Sequence, residues 1–263
     1  MQDRIKRTTD GGFVQIGALA GLAVVAASLA LSLGGNMQLA RDAAAFERRA
    51  SAALIADSGV RRVLASIEDP ADPLAMEVGV AGDLHTLELL GSPVELAIEG
   101  EAGKIDPLTA ARPILESYFS NAGVPAARIA ALMAGLDQAR PAADAEAAFE
   151  LLETYLLPDL TAENLARDFT DRSKLAGIDP LYASRRVLEA LPDLGTTEID
   201  EIIRVRSLEP GSLDTTASRY FAGGGAEFTI VAAVPLTGRE ALVRRVPIEL
   251  TTAGRAVVLD GFR

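Results

Sequence analysis

The hydrophobic positions of this chain begin with one long uninterrupted run. No charged residue occurs from Phe13 until Arg41, and the 21 residues from Phe13 to Leu33 are almost wholly apolar. A helix needs roughly 20 apolar residues to cross the hydrocarbon core of a bilayer. We therefore predict a membrane-spanning segment over residues 13–33. The basic residues Arg4, Lys6 and Arg7 precede it, which predicts that this end lies in the cytoplasm.

The helical pattern continues beyond the apolar run. No proline occurs between Phe13 and Pro70, and alanine is frequent, so we predict one helix from about Val14 to about Ile67. Gly34-Gly35 is a predicted weak point, since glycine disfavours helix. In the outer half, apolar residues at three- and four-residue spacing predict a packing face, which Asp57 interrupts. That face comprises Phe46, Ala50, Ala53, Val60, Leu64 and Ile67.

Strand-like patterns lie on both sides of a long helical region. Alternating or short apolar runs predict strands at 84–90, 93–99, 226–234, 241–250 and 256–259. Residues 106–210 are almost wholly helical in pattern. The prediction is an α+β chain in which a long N-terminal helix (13–67) packs on an antiparallel sheet. The sheet domain comprises 68–105 and 211–263, and 106–210 form an inserted all-α domain.

An internal repeat marks the insertion. The tetrapeptide Ile105-Asp106-Pro107-Leu108 recurs 73 residues later as Ile178-Asp179-Pro180-Leu181, and an apolar-rich helical pattern follows each copy. Asp can cap a helix and Pro is tolerated at the first helical position. We therefore predict helix starts at Asp106-Pro107 and Asp179-Pro180, opening a duplicated helical hairpin.

Composition narrows the function. The net charge is −12, which disfavours binding to a phosphate backbone, and the absence of cysteine excludes disulfides and thiolate metal sites. The single histidine, His85, has no partner at a catalytic spacing, and no nucleotide-binding or zinc motif occurs. We expect a protein that is not an enzyme.

Residues 187–206 have the pattern of a helix-hairpin-helix. DNA-binding hairpins of this type use glycine amides against a phosphate, but Asp193 occupies the first glycine position. Three further acidic residues follow, namely Glu198, Asp200 and Glu201. We interpret the segment as a packing module for protein contact, with no nucleic acid as partner.

The Gly12-Phe13 junction ahead of the apolar run resembles the processing site of the type IV pilin and pseudopilin family. The resemblance implies that prepilin peptidase removes residues 1–12, that the new N-terminus is methylated, and that the helix is retained. The alternative is an uncleaved signal anchor. Most members of the family carry Glu five positions after the cut, where this chain has Gly17. That lack, the split sheet and the repeated insertion resemble the minor pseudopilin K family of type II secretion systems.

This resemblance implies a non-enzymatic subunit at the pseudopilus tip, supporting protein export in a Gram-negative bacterium. It implies a single-pass inner-membrane protein with its C-terminal domain in the periplasm. The implied partners are other minor pseudopilins, the inner-membrane assembly platform and prepilin peptidase. Two alternatives remain: a minor pilin of a related type IV filament, and a membrane-anchored helix-hairpin-helix receptor for nucleic acid.

The resemblance also allows calcium in the insertion. The corresponding stretch, residues 137–146, is poor in carboxylates and contains Arg140. Calcium binding needs several oxygen ligands. We therefore expect neither a metal nor another cofactor there.

Overall fold

The computed structural model describes residues 10–69, 71–72, 74, 84–155, 160–208, 212–238, 240–251 and 255–259. Within these ranges the chain is α+β, with seven α-helices and one five-stranded antiparallel sheet. The chain forms two compact units, of which the first ends at Ala52 and the second begins at Ala53.

Helix α1 spans Asp10–Glu68, which confirms the predicted long N-terminal helix. Gly34-Gly35 does not interrupt it, because a cost of about 1 kcal/mol per glycine is small against the continuous helix on either side. The helix ends directly before the acidic, proline-containing segment, as predicted. Beyond that end, Asp72 accepts a hydrogen bond from Arg62 Nη2 of α1 at 2.8 Å.

The side chains of residues 10–36, apart from Leu22, lie outside the described part of the structure. Gly12, Phe13 and Gly17 fall in this stretch, as does nearly all of the predicted membrane segment 13–33. Among the residues that were searched, those the structure describes, no helix is long and apolar enough to cross a membrane. Processing and membrane insertion therefore stay predictions.

The buried face of α1 in the second unit differs from the predicted one. Its buried residues are Ile55, Ala56, Gly59, Val60, Val63 and Ser66. A Cβ atom on Gly59 would lie 2.9 Å from Leu96 Cδ2 of the sheet. Small side chains therefore let the helix approach the strands, and their positions determine which face is buried.

The predicted stripe was correct for burial only at Val60. Phe46 is 76% exposed and Ala50 is exposed, while Ala53, Leu64 and Ile67 are half-buried. The expectation failed because it gave weight to large apolar residues, whereas the contact is made through Ala56 and Gly59. Asp57, which interrupts the predicted stripe, lies 3.1 Å from Arg244 Nε and forms an ion pair with it.

The sheet is a meander in the order β1-β2-β3-β4-β5, with every neighbouring pair antiparallel. All five predicted strands are present. They are β1 (His85–Leu89), β2 (Ser92–Gly100), β3 (Glu227–Pro235), β4 (Ala241–Leu250) and β5 (Ala256–Val258). The central strand β3 is buried along most of its length, so the sheet supplies a rigid platform.

The remaining described helices all lie between β2 and β3, which are adjacent in the sheet. They are α2 (Arg112–Asn121), α3 (Ala126–Ala139), α4 (Ala145–Thr154), α5 (Ala162–Asp168), α6 (Arg185–Glu189) and α7 (Thr196–Leu208). They share one core, at whose centre the ring centroids of Tyr118 and Phe169 are 4.9 Å apart. The sheet and these helices belong to one compact unit. The domain limits at 106 and 210 stay a prediction.

The sheet meets the helical region through a close backbone contact. Strand β2 ends at Gly100, and a short 3₁₀ turn, Glu101–Gly103, follows it. A Cβ atom on Gly100 would lie 2.7 Å from Tyr182 Cβ, and one on Gly103 would lie 2.5 Å from the Ala183 nitrogen. Only glycine fits at these two positions without a shift of the opposite backbone.

This contact gives a prediction for Gly103→Ala. The added methyl group meets backbone rather than a side chain that could rotate away, so we expect the free energy of unfolding to fall by about 1–3 kcal/mol. Gly223→Ala is the matched control, because its Cβ would meet only Asp179 Oδ2, at 3.6 Å. Chemical denaturation of both full-length variants checks this. Equal stability of the two variants would contradict the close contact.

Candidate functional site: the duplicated Asp-Pro turns

The first Asp-Pro turn is built around a buried aspartate. Asp106, 2% exposed, accepts a hydrogen bond from Leu108 N–H at 2.9 Å through Oδ1 and one from Lys174 N–H at 3.2 Å through Oδ2. Its own carbonyl accepts from Ala110 N–H at 2.7 Å. The carboxylate therefore closes a local turn and also holds a loop that is distant in sequence.

The second turn repeats this arrangement. Asp179 Oδ1 accepts from Leu181 N–H at 3.0 Å, and the Gly224 amide also donates to this carboxylate. The preceding isoleucines match as well: Ile105 forms an isolated parallel bridge with Phe169, and Ile178 forms one with Phe221. The sequence repeat is therefore a structural repeat in its backbone pairing.

The two aspartates differ in their electrostatics. Burial raises the pKa of Asp179, against the opposing effect of the amides of Leu181 and Gly224. A raised pKa in the folded state means that the charged form of Asp179 is disfavoured by folding. The Asp179 carboxylate therefore contributes less stability at neutral pH than its hydrogen bonds alone indicate.

The predicted helix starts at Asp106, Pro107, Asp179 and Pro180 were wrong. The helices begin at Arg112 and Arg185, and their N-caps are Ala111 and Ser184. The aspartates cannot cap these helices because their oxygens already accept from the amides two residues onward, an arrangement that favours a turn. The interval from turn to helix is the same in both copies.

One arginine covers each turn from the end of a following helix. Arg140 Nη2 donates to the Ala110 carbonyl at 2.9 Å and lies 3.4 Å from the Pro107 carbonyl. In the second copy, Arg206 Nη1 donates to the Ala183 carbonyl and lies 3.4 Å from the Pro180 carbonyl. These are equivalent carbonyls of the repeat, so each Asp-Pro turn has its amides bound by a carboxylate and its carbonyls bound by a guanidinium.

The sequence analysis missed these arginines as repeat partners, because they are 66 residues apart rather than 73. The segment that leads into α7 is shorter than the one that leads into α3, and Arg206 lies about one turn nearer the start of its helix than Arg140 does. The long, flexible arginine side chain can still reach the equivalent carbonyls. A search that allowed a deletion within the second hairpin could have found the pair.

Asp168 joins the two copies. It is 1% exposed, and it accepts hydrogen bonds from the Tyr118 hydroxyl and the Ser184 hydroxyl, each at 2.8 Å. Arg186 Nε lies 3.8 Å from Oδ2. Burial, followed by the charge of Asp168, raises the pKa of Tyr118 far above its usual range. Tyr118 therefore stays protonated and acts as a permanent donor to the carboxylate.

A second buried polar group lies at the end of β2. The Lys104 ammonium is 2.8 Å from Glu99 Oε2 and 3.0 Å from Glu101 Oε1. Thr229 Oγ1 donates to Glu101 at 2.5 Å. Burial acts most strongly on the pKa of Glu101 and raises it, but Lys104 and the hydrogen-bonding hydroxyls bring the net shift below the usual value. These pairs fasten the start of the first repeat to β3.

The hairpin aspartate has a structural role. Asp193 Oδ1 accepts from Ser218 Oγ at 2.7 Å, and Oδ2 accepts from Arg219 N–H at 3.1 Å. Asp200 pairs with Arg185, and Glu201 accepts from Arg204 Nε at 2.8 Å. Asp193 therefore binds the 218–219 loop at the position where a DNA-binding hairpin would present an amide.

No catalytic or metal-binding arrangement is formed by the residues that the structure describes. Within them, no group of three or more His, Asp or Glu side chains could hold a metal ion. In the stretch considered for calcium, Asp137 contacts Arg112 and Arg140, and Asp144 caps α4 by accepting from Ala147 N–H at 3.0 Å. His85 is half-buried in β1, opposite Leu96.

Comparisons with known proteins give one weak similarity. No family model matches the chain, and no curated protein matches it. Among solved structures, it is similar to a chain of the crystal structure of the GspK-GspI-GspJ complex from the type 2 secretion system of enterotoxigenic Escherichia coli. The identity is 12%, with 84% of this chain and 97% of that chain covered and a TM-score of 0.44. Similarity at this level carries no argument about function.

The Asp-Pro turns give a graded stability prediction. Asp106→Ala leaves two amides without their acceptor, and we expect it to lower the free energy of unfolding by about 1–3 kcal/mol. Asp179→Ala should lower it less, because folding already disfavours the charge of Asp179. Asp214→Ala is the control: Asp214 accepts from Thr216 N–H at 2.8 Å in the same kind of turn, but it is exposed.

Urea denaturation of the three variants beside the parent chain measures this order. The expected ranking of destabilisation is Asp106, then Asp179, then Asp214. A result in which Asp106→Ala costs no more than Asp214→Ala would show that the buried turn does not stabilise the repeat.

Proposed function

We propose that this protein is a non-enzymatic, membrane-anchored subunit of a pilin-like assembly, and specifically a minor pseudopilin K-type subunit at the tip of a type II secretion pseudopilus. Residues 1–12 are removed by prepilin peptidase, and residues 13–33 anchor the mature chain in the inner membrane. The second compact unit then lies in the periplasm, where it contacts other minor pseudopilins and the assembly platform.

The observation that carries the proposal is the course of α1. It is one helix of 59 residues, and its sequence opens with the apolar run of residues 13–33. Its last turns pack through Ala56, Gly59 and Val60 against an antiparallel sheet. A helix that is apolar at its start and packed on a sheet at its end can join a membrane to a globular head, which is the arrangement of a pilin.

A second observation favours the pseudopilin K alternative over an ordinary minor pilin. The helices α2–α7 are inserted between two adjacent strands, β2 and β3, and they contain a duplicated turn. The sequence also has Gly17 where shaft subunits carry Glu. A tip subunit has no further subunit above it, so it does not require that carboxylate. A minor pilin of a related type IV filament remains the second candidate.

The nucleic-acid alternative is disfavoured by the hairpin itself. Asp193 places a carboxylate at the position where a phosphate would bind, and that carboxylate is engaged with Ser218 and Arg219. The acidic side chains of Glu198, Asp200 and Glu201 are exposed nearby on α7. Affinity for nucleic acid comes chiefly from cations that neutralise phosphates, and this surface has the opposite charge.

The proposal is tested by crosslinking and by DNA binding with the full-length chain. After crosslinking in membranes, a tagged chain should capture proteins that carry their own Gly-Phe or Gly-Met leader before an apolar run. Purified in detergent, the chain should show no salt-dependent binding to duplex or single-stranded DNA by fluorescence anisotropy. Micromolar DNA affinity that weakens as salt rises, without captured pilin-like partners, would support the receptor alternative instead.

A further inference from the structure

A cationic cleft lies where the second repeat meets the end of β2. Its volume is about 280 Å³, and it is open to solvent on one side. Four cationic residues line it, Lys104, Arg167, Arg185 and Arg206, together with Glu99 and Ser184. This concentration of positive charge is unusual in a chain whose net charge is −12.

The cations of the cleft differ in how far they are neutralised. Lys104 is paired with Glu99 and Glu101, and Arg185 is paired with Asp200. Arg167 is exposed on the last turn of α5, and within the described part of the chain its side chain makes no ion pair and no hydrogen bond. The cleft therefore presents one guanidinium whose charge is not balanced locally.

The first repeat shows what occupies the corresponding place. Arg112 and Arg140 are the counterparts of Arg185 and Arg206, and Asp137 lies between them. Asp137 Oδ2 is 3.4 Å from Arg112 Nη1, and Oδ1 is 3.6 Å from Arg140 Nη1. Asp137 precedes Arg140 by three residues, whereas Ile203 precedes Arg206 by three. The second repeat therefore lacks this carboxylate, and Arg185 and Arg206 line the open cleft instead.

We propose that the cleft binds a carboxylate presented by an acidic segment of another protein, in the place that Asp137 fills in the first repeat. Arg167 makes the principal charge-assisted contact, and the hydroxyl of Ser184 and the neighbouring cations surround the bound group. A single unbalanced guanidinium matches the one negative charge of a carboxylate better than the higher charge of a phosphate. The inference rests on the proposed function only in taking the segment to belong to a partner subunit.

Direct binding tests this without requiring any filament. Fluorescein-labelled pentaglutamate, with its C-terminus amidated, is titrated with the full-length chain in nonionic detergent at low salt and followed by anisotropy. We expect saturable binding that Arg167→Gln weakens roughly tenfold, since it removes the charge-assisted contact. Arg167→Glu, which brings a carboxylate to the cleft from within the chain, should weaken it further.

Arg48→Gln is the matched control, because Arg48 is also an exposed helical arginine and its loss changes the net charge equally. It should leave the affinity unchanged. Absence of saturable binding, or equal weakening by Arg48→Gln, would overturn the proposal. Stronger competition by inorganic phosphate than by acetate would also overturn it and indicate a phosphate site. Failure here would leave the crosslinking test of the proposed function unaffected.

Discussion

The structure of the second unit depends on the close approach of Gly100 and Gly103 to the backbone at Tyr182 and Ala183. At this contact the sheet ends, the first repeat begins, and the second repeat makes its turn. Because the two segments touch through backbone, the nearby polar groups are removed from water and must find partners within the protein. Lys104 and Glu101 do so through one another and through Thr229.

The same requirement explains the form of the duplicated turns. Each turn exposes both amides and carbonyls to a packed interior, where unpaired groups are costly. Each copy meets this need with an aspartate for the amides and an arginine for the carbonyls. Asp168 then links the copies through Tyr118 and Ser184. The helical core can pack on the sheet because its polar backbone is satisfied locally.

Much of this fold could be predicted from the sequence, since the strands and the long helix follow from local patterns. The five strands and the end of α1 at Glu68 lay close to their predicted positions. The buried face of α1 was mispredicted because Ala56 and Gly59 contribute through their small size, which a hydrophobic pattern does not register. The Asp-Pro pairs were mistaken for helix starts because the competing amide donors at Lys174 and Gly224 are distant in sequence. Arg140 and Arg206 were missed for the same reason.

The proposed role requires that the chain be anchored by its own N-terminal helix after removal of a short leader. Mass spectrometry of the N-terminus of the protein isolated from bacterial membranes tests this most directly. The account predicts a mature chain that begins at Phe13, with a methylated amine, and its loss when Gly12 is replaced by a bulky residue. An intact Met1 terminus on the membrane-assembled protein would contradict the account.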